Sequence, residues 1–376
     1  MSEPPETGRA VARIDAGAVE ANCRELASRL AGGAELCAVV KADGYGHGAA
    51  PCAAAALRGG ATRLAVATAD EAKELRLHFP DVPLFVMGAL TAAELRRCLD
   101  ARAEVAVWRP RFRDLCARIA SERGDPVRVH VKHDSGMGRL GERDPEAVVE
   151  LARSCAEDAG LELAGVWTHF ATADERDDGF MAEQLAAFGP VAERVKQLEP
   201  GCVAHAANSA ATLRDPATHL DMVRCGVAIY GLDPFQSDPA EHSLQPVMEL
   251  ASYVADVKRF RAGDSAGYGR TWRAEADTWV GVLPIGYGDG YRRGLGPGGE
   301  VLIRGRRLPI AGTVSMDNIT VDLGTETDVE PGDEAVLIGT RGGERILAER
   351  LAERLGTINY EIPCGISPRV PRAHGR

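Results

Sequence analysis

A chain of 376 residues with 45% hydrophobic and 26% charged side chains is long enough for one large domain and a smaller one. Its formal charge of -11, with lysines and arginines spread among acids, excludes a basic surface for a nucleic-acid backbone. Met1 to Ile14 holds no secretory h-region and no apolar stretch is long enough to span a bilayer, so the expected location is the cytoplasm. The nine cysteines form no C-x-x-C pair or other metal-ligand spacing, and are expected to be buried thiols in a reducing compartment.

The first predicted element is a helix with Asp15 as its N-cap and Val19, Cys23, Leu26 and Leu30 as its apolar stripe. Eight short apolar runs follow: Leu36 to Val40, Arg63 to Thr68, Leu84 to Met87, Glu104 to Trp108, Val127 to Lys132, Leu163 to His169, Val203 to Asn208 and Met222 to Ile229. Helical patterns alternate with them. In Met181 to Leu198, for example, Met181, Leu185, Phe188, Ala192 and Val195 recur on one face. Eight strand–helix units over about 220 residues match a (β/α)8 barrel, the TIM-barrel arrangement of the α/β class.

After Leu244 the pattern changes to strands separated by turn clusters: Val247 to Phe260, Thr278 to Tyr287, Glu300 to Ser315, Asn318 to Leu323 and Glu334 to Ile338. A late helix is expected over Arg345 to Leu355 with Gly356 behind it. The reading is therefore a barrel over residues 12–245 and a mostly β C-terminal domain over residues 246–376, joined by the N-terminal segment 1–11.

Barrel enzymes keep their sites at the C-terminal ends of the strands. There this sequence places Lys41, Lys132, His169, Asn208 with Ser209, and Arg224. Any one of them could be an ordinary polar strand end; five on one rim point to chemistry. Lys41 follows a buried strand, so desolvation and a neighbouring cation could lower its pKa, as amine chemistry on a carbonyl requires. The Gly44 to Gly48 loop lacks phosphate-cradle spacing and reads as tight-turn glycines, with His47 as a capping or packing residue. After strands seven and eight, Asn208-Ser209-Ala210-Ala211 and Arg224-Cys225-Gly226-Val227 offer a hydroxyl, amides and a close backbone approach for a phosphate.

These segments resemble one family jointly and in order. Val39 to Gly48, Lys132 to Gly141, Thr168 to Asp174, His205 to Ser209, Arg224 to Gly231, Gly267 to Arg270, Ser315 to Asp317 and Asn359 to Ile362 are similar to the motifs of alanine racemases. The resemblance spans nearly the whole chain. Ser135 stands where that family more often has Thr, and Thr313 where Arg is common.

The resemblance implies pyridoxal 5'-phosphate as cofactor, with its aldehyde on Lys41 and its phosphate held by Tyr45, Ser209, Tyr360 and the backbone at Gly226 and Val227, near Asn208. Arg224 would face the pyridine nitrogen, and because an arginine only donates, that nitrogen would stay unprotonated. Lys41 and Tyr268 would serve opposite faces of the α-carbon, the tyrosine tuned by His169 and His169 by Arg224. Arg139 would orient the cofactor's phenolic oxygen and, with the Met316 amide, bind the substrate carboxylate. Asp174, Tyr287, Arg293 and Tyr360 would restrict the entrance. Two cations about 4 Å apart repel by roughly 4 kcal/mol at an effective dielectric of 20, so Lys132 beside Arg139 is expected to carry a CO2-derived carboxylate. The alternative is a bare lysine paired with Asp134. The implied reaction is alanine racemisation, supplying D-alanine for peptidoglycan, in a homodimer with shared sites and no metal. The alternatives are a racemase of broader specificity and a pyridoxal-phosphate carrier without turnover; a fold-related decarboxylase would place an acid, not Arg224, at the pyridine nitrogen.

Overall fold

The computed structural model describes residues 8–375. They divide into two compact units: one comprises Val19–Ile229 with His242–Leu244, the other residues 8–18, Tyr230–Glu241 and residues 245–375.

The polar-looking N-terminus supplies a strand, β1 (Ala10–Asp15), that the periodicity did not predict. The Asp15 carboxylate then accepts the Ala18 amide at 3.0 Å and starts α1 (Ala16–Ser28). Val19, Cys23 and Leu26 are fully buried, whereas Leu30 lies beyond the helix.

The barrel consists of β2 (Glu35–Val39), β3 (Arg63–Val66), β4 (Leu84–Val86), β5 (Glu104–Val107), β6 (Val127–Lys132), β7 (Leu161–Trp167), β8 (Val203–His205) and β9 (Met222–Cys225). It closes in that order, with β9 pairing back onto β2. Parallel strands covered on both faces read as continuous apolar runs, and β4 and β5 are buried at every position. The connecting helices are α2 (Ala49–Arg58), α3 (Ala69–His78), α4 (Ala92–Asp100), α5 (Pro110–Arg123), α6 (Pro145–Ala156), α7 (Phe180–Leu198) and α8 (Ser209–Arg214). Thr68 with Glu71 and Thr91 with Glu94 form capping boxes that fix where α3 and α4 begin.

Several barrel strands stop before their apolar runs do. β7 ends at Trp167, β8 at His205 and β9 at Cys225, so His169 and Asn208 lie on rim loops and Val227–Tyr230 forms a 3-10 turn.

One glycine inside the barrel is dictated by its neighbour. The register between β6 and β7 shifts at Val129/His130, and a Cβ on Gly165 would lie 2.1 Å from His130 Nδ1. Gly165→Ala is expected to cost about 1–3 kcal/mol by overpacking. Urea denaturation checks this; an unchanged midpoint would show that the His130 ring can move aside.

In the second unit, β10 (Met248–Tyr253) pairs antiparallel with β1, and β11 (Asp256–Phe260) belongs to a different sheet. The single strand predicted over Val247 to Phe260 is therefore two, broken at Val254 and Ala255. The strands β12 (Ser265–Ala266) and β13 (Trp272–Arg273) form a small ribbon, and β14 (Thr278–Leu283) lies between β11 and β17 (Ile319–Gly324). The run Glu300 to Ser315 holds a hairpin, β15 (Glu300–Ile303) and β16 (Arg306–Pro309), turning where Arg304 and Gly305 take φ of 51° and 73°. β18 (Glu334–Arg341) joins β15 to β10 and also carries β19 (Glu344–Ile346). The late helix α9 spans Ala348–Leu355, later than predicted because residues 344–346 are spent on β19. β20 (Arg372–Gly375) adds to β1 in parallel. Eight cysteines are buried as expected, but Cys364 is exposed because it ends the short helix Glu361–Cys364.

Candidate active site

Lys41 opens an irregular turn directly beyond β2. Ala42, Asp43, Gly44, Tyr45 and Gly46 have φ of 53°, 50°, 60°, 52° and 81°, all in the left-handed region. Each non-glycine residue there costs roughly 1–2 kcal/mol. Local hydrogen bonds offset the cost: Gly44 N to the Val40 carbonyl at 3.0 Å, Gly46 N to Ala42 at 2.9 Å and Gly48 N to Asp43 at 2.8 Å. The Asp43 carboxylate accepts the Ala49 amide, and Glu71 accepts Ala42, Ala67 and Thr68 amides. His47 is buried with Nδ1 3.0 Å from the carbonyls of Gly44 and Tyr45, a packing and capping role.

This turn delivers the Tyr45 ring to the end of β9. A Cβ on Gly226 would meet Tyr45 Oη at 2.4 Å, so glycine is required for the approach. Beside it the Ser209 hydroxyl accepts the amides of Gly226 at 3.0 Å and Ala228 at 3.3 Å. Asn208 caps α8 by accepting the Ala211 amide. Val227 is buried at the start of the 3-10 turn.

Arg224 is 3% exposed, and Cys37 of β2 is its register partner. Its guanidinium donates to the carbonyls of Thr168 at 2.9 Å and Ala206 at 3.0 Å, to His205 Nδ1 at 2.9 Å and to His169 Nδ1 at 3.2 Å. An arginine cannot accept, so His169 Nδ1 is a lone pair and its proton sits on Nε2. Burial and the cations Arg224, Arg139, Lys132 and Lys41 hold His169 well below the usual imidazole pKa, in keeping with a neutral ring. Burial lowers Arg224 itself to about 10.

Lys132 is buried, with Nζ 4.1 Å from the centre of the Trp167 ring. Burial and the charges of Arg224 and Arg139 lower its amine to about 7. The Asp134 carboxylate is used elsewhere, accepting the amides of Gly136 at 3.3 Å and Gly138 at 2.9 Å. Arg139 and Asp174 are exposed on loops of the same unit. Ser135 bonds the Thr168 hydroxyl at 2.7 Å.

The remaining expected residues belong to the β-rich unit. Tyr268 is 67% exposed in a 3-10 turn flanked by Gly267 and Gly269 at φ of 72° and 75°. Met316 is 52% exposed, and its loop packs on Gly286, where a Cβ would lie 2.5 Å from the Met316 carbonyl. Arg9, Asp289, Arg369 and Asp317 tie these loops together through ion pairs. Tyr287 and Arg293 are exposed, and Tyr360 is half-buried next to Asn359, which bonds Asp233 and Glu349.

The barrel rim thus combines a lysine on a strained turn, a glycine-lined hydroxyl pair and a buried arginine that fixes a neutral histidine. The model of the alanine racemase N-terminal domain matches residues 14–234, and that of the C-terminal domain matches residues 247–374. The chain belongs to the alanine racemase family. It is similar to the alanine racemase of Desulforamulus reducens, 40% identical over 368 residues covering 96% of this chain and 98% of that one. The structure of the alanine racemase from Streptomyces coelicolor superposes with a TM-score of 0.92 at 41% identity, covering 97% and 98% of the two chains. That from Streptomyces lavendulae gives 0.93 at 37% identity, covering 100% and 98%. The chain is accordingly an amino-acid racemase, an isomerase.

The residues present fit the cofactor that the alanine racemase family implies. Lys41 can bond an aldehyde, the Tyr45 and Ser209 hydroxyls lie at the glycine cradle of Gly226, and the cations Arg224 and Arg139 suit an anionic group. Three polar residues of the barrel core were not singled out from the sequence: Glu104, His130 and His205. The alternation in Val127-Arg128-Val129-His130-Val131-Lys132 is a signal for His130 alone, since it sets 128, 130 and 132 on one face; Glu104 and His205 lie on other strands.

Proposed function

We propose that this chain interconverts L- and D-alanine with pyridoxal 5'-phosphate, and that the D-alanine supplies peptidoglycan. The observation that carries the reading is Arg224, a buried donor-only cation that keeps His169 neutral with Nδ1 as acceptor. When bound, the cofactor withdraws electrons from the substrate and acidifies its α-C–H bond.

Lys41 would hold the cofactor's aldehyde carbon, and Tyr45, Ser209 and Tyr360 with the amides of Gly226 and Val227 would hold its phosphate. Arg224 would donate an N–H to the pyridine nitrogen and leave it unprotonated, which limits electron withdrawal and disfavours protonation at the wrong carbon. Arg139 and the Met316 amide would orient the substrate carboxylate. Lys41 then moves a proton at the D-face of the α-carbon and Tyr268 at the L-face. His169, with its proton on Nε2, would polarise the tyrosine oxygen. Tyr268 of the partner subunit would complete each site in a homodimer; the exposure of Tyr268 and Met316 supports a face made for a second copy. Asp174, Tyr287 and Arg293 would limit the entrance to small side chains.

The test is direct. With the cofactor, either pure enantiomer of alanine should run to equal amounts of both, and an absence of D-alanine from L-alanine would overturn the reading.

Lys132 is read as carboxylated. An amine titrating at about 7 is largely neutral above that pH and able to attack CO2, and it is protonated and unreactive below it. Labelled bicarbonate should therefore give a carbamate carbon signal that grows as pH rises through 7 and is missing from Lys132→Arg. A signal absent at every pH would return Lys132 to a bare amine.

A further inference from the structure

Behind Arg224 a line of polar groups runs down the inside of the barrel. His205 Nδ1 is 2.9 Å from Arg224, His205 Nε2 is 2.9 Å from His130 Nδ1, and His130 Nε2 is 2.8 Å from Glu104 Oε2. Both imidazoles are fully buried. Phe85 stacks on His130 at 4.3 Å and Trp167 on His205 at 5.7 Å, while Gly165 leaves the space that the His130 ring fills. At the far end Glu104, itself 4% exposed, meets Arg63 Nη1 at 3.2 Å and Arg128 Nε at 2.9 Å.

The chemistry of these groups allows one proton arrangement. Arg224 has no acceptor, so His205 Nδ1 is a lone pair and the His205 proton is on Nε2. That proton points at His130 Nδ1, which must accept it, leaving the His130 proton on Nε2 to point at Glu104. A carboxylate accepts it. Although burial opposes ionisation of Glu104, the hydrogen bond from His130 and the charges of Arg63 and Arg128 lower its pKa and favour the carboxylate. A reversed chain started by a protonated Glu104, or a doubly protonated His130, leaves two N–H groups facing each other, either between the two rings or at Arg224.

We infer that Glu104, His130 and His205 are positioning residues for the reaction: a one-way hydrogen-bond chain that fixes the orientation of Arg224 and, through it, the Nδ1-acceptor form of His169. This inference rests on the proposed racemase reading for its consequence, but not for its proton order. An ionised anchor buried at one end and a cation at the other polarise the two neutral rings between them. The chain moves no proton during turnover; it forbids the tautomers in which Arg224 would swing away from the rim.

Nitrogen NMR of the holoenzyme labelled with 15N-histidine tests the order. His130 and His205, assigned by His130→Asn and His205→Gln, should both be neutral with the proton on Nε2 throughout the neutral pH range. An imidazolium at His130, or an Nδ1 proton on either ring, would overturn the chain. Glu104→Gln keeps an acceptor but also offers a donor, so it removes the enforced direction. It should admit the reversed tautomers and lower kcat about 10- to 100-fold with the KM for alanine unchanged. His205→Phe, which fills the ring space but cannot accept from Arg224, should lose at least as much, and His205→Gln, which can accept and donate in the same order, should recover most of it. Wild-type kcat in Glu104→Gln, or a loss carried by KM, would contradict the inference. If the wild type forms no D-alanine, the proposed function fails while the histidine spectra still decide the proton order.

Discussion

Replacing Lys41 by alanine is expected to lower racemisation by more than about 10^4-fold, because in the proposed reading this one residue would supply both the covalent attachment and one of two proton-transfer groups. The purified variant should also lose the visible absorbance of the bound cofactor. The fold should survive, since backbone hydrogen bonds and the Asp43 and Glu71 carboxylates hold the left-handed turn at residues 42–46. A low activity with a native denaturation midpoint therefore reports chemistry. Trapping the cofactor by borohydride on a different residue of the wild type would contradict the assignment.

The second large effect is a recovery. Lys41→Ala and Tyr268→Phe should each be nearly inactive, yet mixing them under conditions of subunit exchange should restore activity to about a quarter of wild type. In a two-fold dimer with shared sites, each mixed dimer has one site with both residues intact and one with both altered. Random exchange makes about half the dimers mixed, each with one good site of two. If each chain used its own tyrosine, no combination would contain an intact pair. Mixed dimers shown to be present but inactive would sink the shared site and leave the racemase reading in place.

Much of the barrel was legible because its strands are buried on both faces and read as apolar runs between helical patterns. Lys41 and Arg224 stood out for the same reason, as cations among buried apolar residues. Glu104, His130 and His205 did not, because polar side chains facing a barrel interior interrupt the run without lengthening it, and their partners lie on other strands. The strands β1 and β20 were missed because pairing, not side-chain pattern, makes them: Arg372-Ala373-His374-Gly375 has no β-type alternation and is held by its register against Ala12 to Asp15. The β-rich unit gave turn positions well and strand boundaries poorly, since Val254 and Ala255 continue an apolar run while the chain changes sheet. The left-handed turn after Lys41 was only partly visible: the glycines announced it, but Ala42, Asp43 and Tyr45 adopt it where local backbone hydrogen bonds and the distant Glu71 carboxylate hold it.

The central claim is that two different groups, Lys41 and Tyr268, act on opposite faces of one carbon. It is tested most directly by following L-alanine in heavy water at low conversion and reading the α-position of both enantiomers. With two bases, the proton removed by one group is not the one delivered by the other. The first D-alanine formed should therefore carry deuterium in full while the remaining L-alanine stays protiated. D-alanine that keeps a substantial share of the original proton would mean that a single group carries it across, and would contradict the account.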